Sequence, residues 1–117
     1  MAEAFANRYG ADVLIASSSG LAPAQMVARG TVQVMHELDV DVSSHAPRLY
    51  NPALAAQCDL VINMSGINLP GLRPTEVITW EVDDPMGDPI ETFRIVRGDL
   101  EHRVMRLILD LRRRAKR

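Results

Sequence analysis

The strongest constraint on how this chain can fold lies towards its C-terminal end. There Phe93, Val96, Leu100, Val104, Leu107, Ile108 and Leu111 recur at helical spacing and form one apolar stripe. A helix patterned in this way must lay its stripe against a partner surface. Its start reads as Asp88 at the N-cap, Pro89 at the first helical position and Glu91 completing a capping box. Its end is basic, with Arg112, Arg113, Arg114, Lys116 and Arg117, and cations there suit the negative pole of the helix dipole. A binding patch is the competing reading of the same residues.

The rest of the chain offers strands for that helix to cover. Residues 12–16 and 58–64 are short apolar runs rich in branched side chains, each closed by a Ser/Gly loop, and both read as buried strands. Residues 76–82 alternate more nearly as a third strand. Helical patterns precede and separate them. Residues 2–9 end at Gly10, a residue suited to the left-handed position after a helix. Residues 23–38 carry Met26, Val27, Thr31, Val34 and Met35 at helical spacing, with Gly30 as a local weakness. Residues 51–57 start with Asn51 as N-cap and Pro52 at the first helical position. Residues 40–45 read as an extended linker ending at His45. Strands alternating with helices over short connections predict an α/β sandwich with a parallel sheet. Ligands bind such sheets beyond the carboxyl ends of the strands, so loops 17–20, 64–74 and 82–88 are expected to gather at one edge.

With 117 residues, 47% of them hydrophobic, the chain is expected to form a single domain spanning residues 1–117 with one core. A net charge of −2 argues against a nucleic-acid partner despite the Arg-rich end. No apolar run approaches the roughly 20 residues of a membrane span, and no signal-peptide pattern opens the chain, so no membrane association is expected. The single cysteine, Cys58, allows no internal disulfide and no Cys-rich metal site. It reads as an inert core residue in a protein of the reducing cytoplasm. No cofactor or metal is expected. Chemistry is sought instead between Trp80 and Pro89, where Asp83, Asp84 and Asp88 crowd a turn-rich loop. Asp84 precedes Pro85 and is thereby kept out of helical geometry, although Asp-Pro is also ordinary turn chemistry.

Taken in order, several segments become recognisable: Met1 to Phe5, Ser18-Ser19-Gly20, residues 34–45 ending in Ser43-Ser44-His45, residues 58–62, Trp80 with Asp84-Pro85, and Phe93-Arg94 opening the last helix. The ordered set resembles the low-molecular-weight protein tyrosine phosphatase family, including its arsenate-reductase branch, over essentially the whole chain. The resemblance implies a three-layer α/β sandwich with a short parallel sheet. It also implies a reaction in which a cysteine thiolate in a Cys-x5-Arg loop attacks a phosphate or arsenate. Loop amides, a helix N-terminus and the Arg hold the anion. By the same resemblance Asp84 is the general acid and later the base for the hydrolytic water, with Asp83 the weaker candidate. Ser18 and His45 match positions that brace the phosphate-binding loop; their alternative reading is a capped strand end and a surface histidine.

The chain departs severely from the family's pattern: it begins where that loop should have just ended, so the nucleophile, the Arg and a central strand would precede Met1. An upstream start, an excised segment and a degenerate paralogue all explain this. The absent strand would sit between residues 12–16 and 58–64. Its absence is expected to leave open strand edges that rearrange or pair across a homodimer. Phosphate or a related oxyanion is the expected ligand once the loop is supplied, and the chain as written is expected to be inactive. Redox cysteines expected in loop 64–74 are absent, which disfavours thioredoxin-coupled reduction. A noncatalytic protein-interaction module and an arsenate-reductase-like protein without redox cysteines remain the alternatives.

Overall fold

The computed structural model describes residues 1–72 and 76–115. Among the described residues, four helices and two strands follow in the order α1 (Ala2–Tyr9), α2 (Arg29–His36), α3 (Pro52–Ala55), β1 (Leu60–Asn63), β2 (Glu76–Thr79) and α4 (Ile90–Ala115). β1 and β2 run parallel, with Leu60 opposite Glu76 and Asn63 opposite Thr79. The Trp80 amide extends this ladder to the Asn63 carbonyl at 3.0 Å. The protein is thus an α/β fold with a small parallel sheet and helices, as the pattern predicts.

The apolar stripe of α4 organises the core. Phe93, Val96, Leu100, Val104 and Ile108 are all buried, against Phe5 of α1 and Val34 and Met35 of α2. Two glycines allow the helices to approach. A Cβ on Gly30 would lie 2.6 Å from the Phe93 ring, and one on Gly10 would lie 2.8 Å from Ile108 Cγ1. Gly10 has φ −118°, so it ends α1 without the left-handed conformation expected of it, and what its position requires is space. Gly30 likewise marks a contact site more than a weakness in α2.

α2 is shorter than the 23–38 pattern suggests: of the apolar residues before Arg29, Val27 and Ala28 pack against the core only in part, too little buried face to extend the helix. Met26 there is 74% exposed. The helix ends in a Schellman arrangement, with Asp39 at φ 60° and amide bonds from Val40 to Met35 O and from Asp39 to His36 O. One residue beyond α2, Glu37 ties this end to α4. Its carboxylate accepts from Arg94 Nε at 3.1 and 3.2 Å, from Arg94 Nη2 at 2.8 Å and from Arg97 Nη1 at 2.7 Å. The Arg94 hydrogen bonds, and then those of Arg97, lower the Glu37 pKa from its ordinary 4.5 to about 2. A carboxylate depressed in the folded state stabilises the fold fully above its unfolded pKa and loses that contribution as pH falls through the folded one. Stability should therefore decline between about pH 4.5 and 2, and Glu37→Gln should remove that part of the decline in chemical denaturation curves recorded across this range. An unchanged acid limb in the variant would refute the assignment.

Residues 12–16 do not form the expected strand. The Val13 and Leu14 amides both donate to Gly10 O in a turn, and Ile15 is 99% exposed. An apolar run becomes a strand only where a neighbouring edge accepts its hydrogen bonds. Here the side chain of Asn7 takes that place at Ala16, with Asn7 Oδ1 accepting from its amide at 2.9 Å and Nδ2 donating to its carbonyl at 3.0 Å. Arg112 forks onto Asp12 at 2.9 and 3.0 Å and donates to Tyr9 O, while Arg114 meets Glu76 at 3.2 Å. The basic end of α4 is therefore partly employed in holding other segments, and Lys116 and Arg117 lie outside the described residues.

Three smaller expectations also change. The third strand stops at Thr79 and does not reach Val82. The capping box is not formed as read: the Asp88 amide donates to Pro85 O at 2.8 Å and Glu91 pairs with Arg94. Cys58 is exposed, not buried in the core; it follows α3, and its thiol donates to Leu54 O at 3.7 Å. α3 keeps its predicted cap, with Asn51 Oδ1 accepting from the Ala53 amide at 2.9 Å. Among the described residues no helix is long and apolar enough to cross a membrane.

Candidate functional site

Because β1 and β2 are parallel, the loops that follow them leave the same edge of the sheet. Asn63, at the end of β1 and only 7% exposed, shapes the first of these loops. Its Oδ1 accepts from the Ser65 amide at 3.0 Å and from Ser65 Oγ at 2.6 Å, and its Nδ2 donates to Ile67 O at 2.8 Å. A buried amide satisfied on both sides fixes a local backbone path. The expected loop 64–74 includes Pro74, and residues 73–75 lie outside the described residues.

The loop after β2 carries the carboxylates. Trp80 is half-buried against the core and marks the end of the ladder. Asp83 and Asp84 are exposed, while Pro85 directly after them is buried. Asp84 Oδ1 accepts from the Met86 amide at 3.0 Å, closing an Asx turn. A second turn follows at once: Asp88 N–H bonds Pro85 O, and Gly87 at φ 83° takes the left-handed position that a type II turn requires. Asp84 is consequently presented to solvent by a backbone fixed on both sides. Such a carboxyl can exchange a proton with a reacting group that comes within hydrogen-bond reach.

Ser18 and His45 are distant in sequence but line one cleft of about 180 Å³ together with Ser19, Gly20, Pro23, Pro47 and Arg48. A parallel bridge between Gly20 and Leu49 holds its two walls together, through Gly20 N–H to Arg48 O at 2.9 Å and Tyr50 N–H to Gly20 O at 2.8 Å. His45 Nδ1 lies 3.1 Å from Glu3 Oε2, which orients the ring from α1. The sequence gives Glu3 no site role, although it lies in the recognisable Met1 to Phe5 segment, because nothing local relates a residue on the first turn of α1 to a histidine so far along the chain. Asp84 does not line this cleft. A larger hollow of about 510 Å³ lies along α2, among Met26, Val27, Val32 and Gln33 with His36 and Asp41. None of the sequence-predicted site residues borders it, and size alone does not make it the reactive site. Among the described residues, no group of His, Cys, Asp and Glu side chains is arranged to hold a metal ion.

The family model for low molecular weight phosphotyrosine protein phosphatases matches residues 1–117. The chain belongs to this family. Among curated relatives, the glutaredoxin arsenate reductase of Synechocystis sp. is 35% identical over 115 residues, covering 95% of this chain and 87% of the relative. Among solved structures, an arsenate reductase in the reduced state superimposes with a TM-score of 0.78 at 33% identity, covering 93% of this chain and 86% of that one. An arsenate reductase in the phosphate binding state gives a TM-score of 0.77 at 32% identity, covering 94% and 86% respectively. The chain is therefore an arsenate-reductase-like member of the phosphatase family.

Proposed function

We propose that this chain supplies the proton-donor loop and the supporting cleft of an enzyme that processes tetrahedral oxyanions through a cysteine nucleophile, with phosphomonoester hydrolysis as its reaction. The observation that carries this reading is Asp84, exposed on two successive fixed turns beyond the carboxyl end of β2. In the reaction a thiolate attacks phosphorus and the bond to the leaving oxygen breaks. Asp84 gives its proton to that oxygen, and the resulting carboxylate then takes a proton from the water that cleaves the thiophosphate. Ser18 and His45, in the adjoining reading, brace the loop that holds the anion, with Glu3 setting the orientation of His45.

The nucleophile has no counterpart within these residues. Cys58 is the single cysteine, and the stretch it opens reaches Met64 where a Cys-x5-Arg motif needs arginine. The 117-residue chain should accordingly leave p-nitrophenyl phosphate at its background rate of hydrolysis. A form preceded by a Cys-x5-Arg segment should turn it over. Hydrolysis by the chain alone, lost on Asp84→Asn, would show that the nucleophile has been misassigned.

Arsenate reduction is a second reading, favoured by the names of the relatives. Converting arsenate to arsenite takes up two electrons, which two thiols release on forming one disulfide. These residues contain a single cysteine, so at least one of the two thiols comes from outside them, and the glutaredoxin in the relative's name is a donor of that kind. Arsenite formation by the loop-bearing form, dependent on glutathione and glutaredoxin, would favour this reading over hydrolysis.

A further inference from the structure

We propose that Arg103, midway along α4, is the positioning residue that fixes the base of the Asp84 loop, an inference that rests on reading Asp84 as the proton donor. Three contacts define its place. Its Nε lies 3.1 Å from each carboxylate oxygen of Asp99, one helical turn earlier. Its Nη2 donates to the Glu81 carbonyl at 3.0 Å. Its guanidinium carbon sits 5.9 Å from the centroid of the Trp80 ring. The planar fork allows these contacts together: Asp99 holds the Nε edge, the indole faces the guanidinium, and an Nη2 N–H points at the loop backbone.

The position of that contact gives it leverage. Trp80 is the last residue tied to the β1 ladder, through its amide to Asn63 O, and Glu81 carries the next carbonyl along the chain. Between Glu81 and the buried Pro85 no other hydrogen bond to the rest of the fold holds the described backbone, apart from the local turn at Asp84. Arg103 and the half-buried Val82, packed against the core, anchor the near side of Asp84, and Pro85 anchors the far side. Without the arginine, only the packing of Val82 would hold that side, and the carboxylate would sample positions away from the reacting oxygen, which lowers catalysis without touching the chemistry.

The chain's single tryptophan is Trp80, so its fluorescence reports this anchor directly. Acrylamide quenching of Trp80 and hydrogen exchange at the Met86 amide, which is bonded to Asp84, are measured in the 117-residue chain for Arg103→Met, Arg103→Lys and Asp99→Asn. For Arg103→Met, quenching should rise and Met86 exchange should quicken by roughly tenfold, the scale expected for one lost hydrogen bond. The Val104 and Ile108 amides on α4 should keep their protection. Arg103→Lys keeps the charge but lacks the fork and should not restore Met86 protection. Asp99→Asn leaves the arginine in place with a weaker partner and should shift both readouts in the same direction by less, which keeps the test open if the Met variant folds poorly. The proposal is overturned if Met86 exchange does not change, if lysine restores it fully, or if the Val104 and Ile108 amides lose protection in step with it. Neither readout requires turnover, so a failure here is distinct from a failure of the Asp84 assignment, which is tested by the dependence of turnover on the leaving group.

Discussion

Phe93→Ala should cost about 3–5 kcal/mol of folding stability, in line with removal of a large side chain from a packed core. Domains of this size are stable by only about 5–15 kcal/mol, so the loss would be visible as a large fall in the urea midpoint. Phe93 lies where α4 crosses α2, and its ring occupies the space that Gly30 leaves open. The complementary substitution, Gly30→Ala, should destabilise by about 1–3 kcal/mol because its new methyl group meets the ring in a contact too close to tolerate. Combining Gly30→Ala with Phe93→Leu should cost less than the sum of the two single changes, since the smaller side chain makes room for the methyl. Strict additivity would mean that the two residues do not share the interface.

Asp84→Asn should reduce turnover of phenyl phosphate by about 10²–10⁴-fold in the loop-bearing form, the range ascribed to a positioned general acid. Asparagine keeps an oxygen for the Met86 amide, so the turn and the fold should survive the change. The size of the effect should depend on the leaving group. 2,4-Dinitrophenyl phosphate expels an oxygen that needs little protonation, and its hydrolysis should fall far less. Asp83→Asn should have a small effect on both substrates. An equal loss for the two leaving groups would remove Asp84 from the acid role, and a large loss on Asp83→Asn would transfer it to that residue.

Much of the fold was legible because its signals are local or periodic. The α4 stripe states in the order of residues which face must be buried, and the structure buries Phe93, Val96, Leu100, Val104 and Ile108 along it. Asn51 followed by Pro52 specifies a helix start through side-chain chemistry that needs no distant partner. The Asp84-Pro85 turn is legible for the same reason, since proline restricts its predecessor whatever surrounds it.

Residues 12–16 show where that logic ends. Their branched side chains favour an extended backbone, but a strand exists only as one half of a hydrogen-bonded pair. The tertiary structure satisfies part of this segment through Asn7 and Arg112 instead. The helix pattern over residues 23–28 had periodicity with only partial burial, at Val27 and Ala28. The glycines at 10 and 30 read as punctuation and weakness until the packing of α4 showed them to be points of close approach.

The sequence by itself determined the order of the elements apart from residues 12–16, the buried face of α4, and the turn that presents Asp84, because each depends on residues within a few positions of one another. Only the tertiary structure decided that Ser18 and His45 share a cleft, that Glu3 orients His45, and that Arg103 reaches across from α4 to Glu81. Those contacts join residues far apart along the chain, and their geometry exists only once the hydrophobic burial of α4 has brought the segments together.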